Sequence, residues 1–530
     1  MSDSFLVVGA GTMGWGIAFV AAKGGYDVEI VEPDAVARER ARSTLEREAA
    51  RTADAGLLER IRWSEAIRPA ADVKVAIEAV PERFELKREL FIALEEALPP
   101  DALLATNTSS FSVGALADAV ARPDRVVGLH FFNPPTRMPL LEIVRARQTS
   151  DDALDQAYDV AERLGKTAVL ASDTPGFIVN RVARPYYLQA LHALERDVAT
   201  AEELDALARG AGFRMGPFEL MDLIGLDVNL ATSESIYART EAQRLAPVGI
   251  QRRMVAQGLL GRKSGEGFYA YRDGKAERYE PQVPAPRTEM SAQERVAIVG
   301  FGAPADELAE LLEQRYANVQ RIENDELLDE LSPEATIVVE ISDGAADRSD
   351  VIAALDSLLG AETVFFADAY ATDLQACGRR MRHPQRLVGY GVLASLDAQQ
   401  VIEIVNAQSA SDEALELAQE LFGSLGKAVV LVEDVPGLFL GRTVGSIVNE
   451  AMVAVAEEVA SADDIDTAMR LGASYPIGPI AWGCEIGGRR VARILKRLSQ
   501  AEGDAFAPHR SLWMLDLNEE QIAQEAAGHS

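Results

Sequence analysis

The sequence predicts an α/β domain followed by an all-α domain, with the pair then repeated in reduced form. Three observations carry this prediction. A buried strand, Phe5-Leu-Val-Val8, runs through Gly9-x-Gly11-x-x-Gly14 into an apolar-periodic helix. Strand and helix patterns alternate up to about residue 180 and then give way to helices alone. From Arg295 the same order of signals starts again. A chain of 530 residues with 48% hydrophobic content has room for several ordinary globular cores.

In Gly9-Ala10-Gly11-Thr12-Met13-Gly14 the first two glycines allow a tight turn and the close approach of a pyrophosphate to backbone N–H groups at the helix N-terminus. The third lets helix and strand pack closely. A second strand, Asp27-Val-Glu-Ile-Val-Glu32, ends in an acid at the spacing of a carboxylate that hydrogen-bonds an adenosine ribose. Glu32 favours NAD over NADP, because it repels a 2′-phosphate. Residues 34–60 read as helical, with Arg38, Arg40, Arg42, Arg47 and Arg51 among acids, mostly a solvated face with local ion pairs.

The strand Val73–Val80 leads through Pro81-Glu82 to a helix with Lys87, and Ala102–Ser110 follows the same strand-to-polar-loop logic. Ligands of open parallel sheets bind outside the carboxyl ends of the strands, where Glu82, Ser109 and His130 all fall. His130 ends one apolar run, and after Asn133-Pro-Pro a second run carries Glu142. A histidine beside a carboxylate at a cleft is acid/base equipment, whereas on this stretch alone a core histidine satisfied by a neighbouring glutamate is the alternative. A helix, a short strand (Ala168–Asp173) and Thr174-Pro-Gly-Phe-Ile-Val-Asn-Arg181 follow, then helical patterns to about residue 260, with Gly261–Tyr269 closing the domain. The expected domains are 1–180, 181–280, 295–438 and 439–530, with a proline-rich linker over 281–294.

Subtracting 83 acidic from 52 basic side chains leaves a formal charge of -31, which argues against nucleic acid or an anionic membrane as a partner. Cys377 and Cys484 are too few for a disulfide framework or a zinc site, and a reducing cytoplasm fits. The N-terminus has no basic n-region, and no apolar run is long enough to span a bilayer.

Taken together, GAGTMGWGIA, NTSS, HFFNPP followed by MPLLEIV, DTPGFIVNR, GFRMGPFELMDLIGLD and LGRKSGEGFYAY, in this order over residues 5 to 271, resemble the 3-hydroxyacyl-CoA dehydrogenase family. The resemblance implies His130 as general base toward a substrate 3-hydroxyl, Glu142 as its partner, and Ser109 and Asn180 as further active-site residues. It also implies NAD contacts from Glu32, Glu82, Lys87, Ser109, Asn133 and Lys263, and an acyl-CoA substrate from fatty-acid, hydroxybutyrate or aromatic-acid metabolism. Read without it, Asn180 is a helix cap and Ser109 a turn former. Two other functions are compatible with the motifs: an NAD-dependent dehydrogenase of a free hydroxy acid or sugar acid, and a non-catalytic nucleotide-responsive scaffold.

The repeat runs through Val296-Ala-Ile-Val-Gly-Phe-Gly302, Arg386–Leu393, Val401–Val405 and Asp434–Arg442. Glu403 minus Glu142 gives an offset of 261, while the glycine loops differ by 291, so the second copy is 30 residues shorter early on, in the arginine-bearing segment. At offset 261, Ser109 meets Tyr370, His130 meets Gly391, Asn133 meets Ala394 and Asn180 meets Gly441, and only Glu142 keeps its type. The second copy has no base and is expected not to catalyse. Its loop, with Glu323 at the ribose position, is expected to be empty. The helical domains resemble dimerisation modules, which implies either a homodimer or an intrachain pseudo-dimer.

Overall fold

The computed structural model describes residues 3–52, 54, 56–277, 294–323, 325–341, 347–370, 372–405 and 410–517. Most of the expected linker lies outside them. The chain forms two compact units: Met1–Val182 with Ala238–Thr240 and Ala454–Ser474, and Ala183–Tyr237 with Glu241–Val453 and Tyr475–Ser530.

The first unit is built on an eight-stranded sheet: β1 (Ser4–Val8), β2 (Asp27–Val31), β3 (Ile61–Ser64), β4 (Val73–Glu78), β5 (Leu103–Thr106), β6 (Val126–Phe131), β7 (Leu140–Arg145) and β8 (Thr167–Ser172). Their order is β3-β2-β1-β4-β5-β6-β7-β8, parallel except for the antiparallel pair β6 and β7. Helices Thr12–Lys23, Ala35–Ala49, Phe84–Ala97 and Asp151–Arg163 connect the strands. Strands covered on both faces must be apolar throughout, and β1 and β6 are buried at every residue. Because the chain winds outward in both directions from β1 and β4, the glycine loop after β1 sits at the switch point where such sheets bind ligands. The sequence had not signalled β3, whose four residues alternate too briefly to be read.

The second unit carries a short hairpin, β9 (Ala270–Arg272) and β10 (Lys275–Glu277), also unread in the sequence. Its main sheet contains β11 (Val296–Val299), β12 (Val319–Ile322), β13 (Ile337–Glu340), β14 (Val364–Asp368), β15 (Leu387–Gly391), β16 (Val401–Val405) and β17 (Ala428–Val432), in the order β12-β11-β13-β14-β15-β16-β17. This repeats the first sheet without β3, again with one antiparallel pair, β15 and β16. The shortening falls where the offsets put it: residues 32–72 separate β2 from β4, but only 323–336 separate β12 from β13. The unit also holds helices of both halves, among them Arg184–Glu195, Ala201–Gly210, Pro217–Ile224, Pro479–Ile486 and Gly488–Glu502. Among the described residues no helix is long and apolar enough to cross a membrane.

Candidate active site

The site assembles along the carboxyl rim of the first sheet. Gly9 holds φ +98°, a left-handed conformation that a side chain disfavours. A Cβ on Gly14 would overlap the Gly9 carbonyl oxygen, so only glycine lets the helix start against the loop. Gly11 and Thr12 are exposed, Met13 is half-buried, and the helix N-terminus they form has no side-chain cap. A Cβ on Gly11 would meet nothing within 4 Å, so there is room before the helix N-terminus, which suits an anion. The Glu32 carboxylate accepts from Ala10 N at 3.0 Å and from Asp34 N at 3.1 Å, so it lies against the loop at the end of β2. These features, a cradle that a Cβ would fill and an acid beside it, fit a dinucleotide with a free 2′-hydroxyl. Of the arginines on and after the following helix, Arg40, Arg42, Arg47 and Arg51 are exposed, as a solvated face requires, whereas Arg38 is half-buried, donating to Glu32 O at 2.6 Å and pairing with Glu65.

Beyond β4 a network organises the next loop. Lys87, only 1% exposed, donates to both oxygens of the buried Glu78 at 2.8 Å and pairs with Glu82 at 3.1 Å. Glu82 in turn accepts from the Thr108 hydroxyl, from Ser109 N and Ser110 N at 3.2 Å, and from the Ser110 hydroxyl at 2.7 Å. Burial pushes the Glu82 carboxyl up, but the Lys87 charge and the hydroxyl donors outweigh it and hold the carboxyl below the usual range. Glu78, Thr106, Thr108 and Ser110 were not singled out in the sequence, because a supporting network of this kind has no spacing signature. Ser109 is half-buried, with its backbone fixed by Glu82.

His130 and Glu142 face each other directly in the register of the antiparallel pair β6 and β7. Their side chains meet at 2.5 Å, His130 Nδ1 to Glu142 Oε2, with His130 6% exposed and Glu142 fully buried. The other oxygen, Oε1, accepts from Ile178 N at 3.1 Å and Val179 N at 2.9 Å, at the start of the short helix Val179–Val182 that carries Asn180. The carboxylate thus holds imidazole and helix together. Phe132 and Phe177, with ring centroids 4.8 and 5.5 Å from that of His130, meet the imidazole edge to face and leave it little freedom. Neither had been picked out, since an aromatic beside an apolar run reads as core. Asn133 is exposed in the loop that follows β6, and Asn107 Oδ1 steadies the strand end by accepting from Phe131 N at 2.8 Å. Lys263 belongs to the second unit, where its ammonium pairs with Asp227.

The second copy keeps the frame and fills the site. Gly391 and Glu403 occupy the same antiparallel register, and Glu403 Oε1 accepts from Phe439 N at 2.7 Å and Leu440 N at 3.2 Å, as Glu142 does one repeat earlier. Here the partner of Glu403 is the buried phenol of Tyr370, which donates to Oε2 at 2.5 Å. Its ring occupies the space beside both glycines: a Cβ at Gly391 would come within 2.7 Å of it and one at Gly441 within 2.8 Å. Tyr370 therefore plugs the place of the histidine from the position of the serine. At the second glycine loop the helix begins Ala303-Pro304, losing one N–H donor, and Arg321 lies 3.4 Å from Glu323.

Residues 4–174 and 295–435 match the family described as 3-hydroxyacyl-CoA dehydrogenase, NAD binding domain, and residues 176–271 and 437–529 match that described as its C-terminal domain. The chain is similar to the 3-hydroxyadipyl-CoA dehydrogenase of Escherichia coli (strain K12), 37% identical over 510 residues and covering 94% of each. It is also similar to a probable 3-hydroxybutyryl-CoA dehydrogenase of Deinococcus radiodurans, 38% identical over 276 residues, which is 50% of this chain and 99% of that one. Among solved structures, a 3-hydroxybutyryl-CoA dehydrogenase from Escherichia coli K12 is similar with a TM-score of 0.73 at 33% identity, covering 100% of both chains.

Proposed function

The chain belongs to the 3-hydroxyacyl-CoA dehydrogenase family and is an NAD-dependent enzyme; we propose that it oxidises an (S)-3-hydroxyacyl-CoA to the 3-oxoacyl-CoA at a single site in its first half. The observation that carries this reading is the buried contact of His130 with Glu142, on the rim that also holds the glycine loop and Ser109.

Bound NAD would supply the hydride acceptor for C3. Gly9, Gly11, Thr12, Met13 and Gly14 would hold its pyrophosphate and Glu32 its ribose, with Asn133 as a further contact. Glu82 and Lys87 serve the same end by keeping the Thr108–Ser110 loop in place. His130 Nε2 takes the hydroxyl proton, since Nδ1 is committed to Glu142. The carboxylate sets the tautomer and stabilises the imidazolium that forms. Ser109 and Asn180 hydrogen-bond the hydroxyl or the thioester carbonyl and orient C3. With Tyr370 buried against Glu403, the second half takes no part in chemistry.

His130→Gln should lose most turnover of acetoacetyl-CoA with NADH, followed by NADH absorbance, while NADH binding measured by fluorescence stays within about twofold of wild type. Steady-state rates near wild type would sink the assignment. A panel of 3-hydroxyacyl-CoAs of graded chain length, with one bearing a terminal carboxylate, identifies the acyl group; a free hydroxy acid oxidised faster than any thioester would replace the acyl-CoA reading.

A further inference from the structure

A segment of the second half, Ala454–Ser474, packs as part of the first unit. Val459 O accepts from Ser172 N at 2.8 Å, and Glu458 O from the Ser172 hydroxyl at 2.7 Å, just beyond β8. The helix Ala462–Gly472, capped by Ser461, then lies against β7, β8 and the helix Val179–Val182. At its end, a Cβ on Gly472 would come within 2.6 Å of Leu140 Cδ2, 3.0 Å of Val179 Cγ2 and 3.6 Å of the Phe132 ring. Before it, Glu457 Oε2 pairs with the buried Arg181 Nη2 at 2.6 Å. The residues touched adjoin the site itself: Phe132 meets the imidazole, Val179 N bonds Glu142, and Arg181 follows Asn180.

The first half supplies the mirror of this contact to the second. At the offset of 261, Thr200 caps the helix Ala201–Gly210 and Val198 O accepts from Glu433 N at 3.0 Å, while the glycine that abuts the counterpart of Leu140, Val401, is Gly210, one residue out of that offset (472 minus 210 is 262). The docking is therefore a property of the repeated fold. The acid at position 457 is not, because its counterpart, 457 minus 261, is Arg196. On that side Arg442, the counterpart of Arg181, is held by Gln189 at 2.9 Å and by Glu502. There the carboxylate comes from Glu502, which pairs with Arg196 as well; only on the side of the working site does the docked segment itself supply the acid.

We propose that Glu457 and Gly472 are positioning residues for the first half's active site, so that the non-catalytic half serves catalysis as a brace. Glu457 anchors Arg181 and with it the short helix whose leading amides hold Glu142 and whose second residue is Asn180. Gly472 admits the helix end close enough to seat Phe132 against His130. Displacements of about 1 Å at such a site reduce turnover by up to about a hundredfold. This inference rests on the reaction proposed above.

The test compares full-length Glu457→Gln, Glu457→Asp and Arg196→Gln. With acetoacetyl-CoA and NADH, Glu457→Gln should lower kcat about tenfold with NADH affinity and thermal unfolding close to wild type. Glu457→Asp should recover part of the loss, and Arg196→Gln should stay within about twofold of wild type. A Glu457→Gln enzyme as active as wild type, or an equal loss in Arg196→Gln, overturns the proposal. Absence of acetoacetyl-CoA turnover in the wild type would count against the substrate class instead. The brace is then read from the His130 imidazole resonances by NMR, which Glu457→Gln should displace and Arg196→Gln should not. Resonances unmoved in Glu457→Gln overturn it.

Discussion

Glu142 does two jobs with two oxygens, and the second copy separates them. Glu403 still accepts two backbone amides, so a carboxylate at this place is required by the chain turn that follows β8 and β17. The histidine is not required, because a phenol satisfies the other oxygen equally well. An amide at 142 offers one acceptor where two sides need one. Glu142→Gln should therefore turn an NH2 group toward either the Ile178 and Val179 amides or the imidazole, and lower kcat by about 10²–10⁴-fold with NADH affinity retained. Steady-state kinetics beside NADH titration checks this, and a loss confined to KM would contradict it. His130 and Glu142 were legible because strand alternation and the Asn-Pro-Pro break place them at the facing ends of two strands. Tyr370 was legible only as a missing serine. That it fills the histidine's space follows from the convergence of β14, β15 and the chain at Gly441, which no local pattern encodes.

Among the elements, the first helical domain turns on Asp205. Its carboxylate accepts from Phe218 N at 2.9 Å, Glu219 N at 3.0 Å and the Tyr269 hydroxyl at 2.7 Å, tying Ala201–Gly210 to the start of Pro217–Ile224 and to the closing segment. Gly216 is needed for that approach, since a Cβ there would overlap Asp205. Burial pushes the carboxyl up to about 7 despite these donors. A folded pKa above the unfolded value means that the group's contribution is complete below about pH 4 and fades as pH rises through about 7. The advantage of wild type over Asp205→Asn in thermal unfolding should accordingly be larger near pH 5 than near pH 8, and a constant difference would show that Asp205 does not titrate in this window. The motif around Gly212–Gly225 was visible in the sequence, but its anchor lies seven residues before the motif begins and on a different helix. The strand β3 and the hairpin β9–β10 escaped notice for a simpler reason, being only three or four residues long.

For the whole molecule, the repeat matters because the halves exchange helices. The segment Ala454–Ser474 completes the first unit, and Ala201–Gly210 lies against β16 in the second. The rings of Phe213, Tyr475 and Trp482, from both halves, also meet in the second unit. Deleting residues 295–530 leaves Leu140, Val179 and Phe132 without Gly472 and Phe213 without Tyr475 and Trp482, so the truncated protein should aggregate or self-associate on size exclusion with light scattering. A monodisperse, fully active monomer would refute the intrachain pseudo-dimer. The sequence by itself determined the fold class, the glycine loop, the juxtaposition of His130 and Glu142 and the lack of a histidine at the aligned position of the second copy, because each depends on periodicity, spacing or the identity of a residue at an aligned position. Only the tertiary structure decided that a tyrosine plugs the vacant site and that each half docks a helix on the other's sheet. Those are contacts between residues more than a hundred positions apart or on different strands, set by packing rather than by any local pattern.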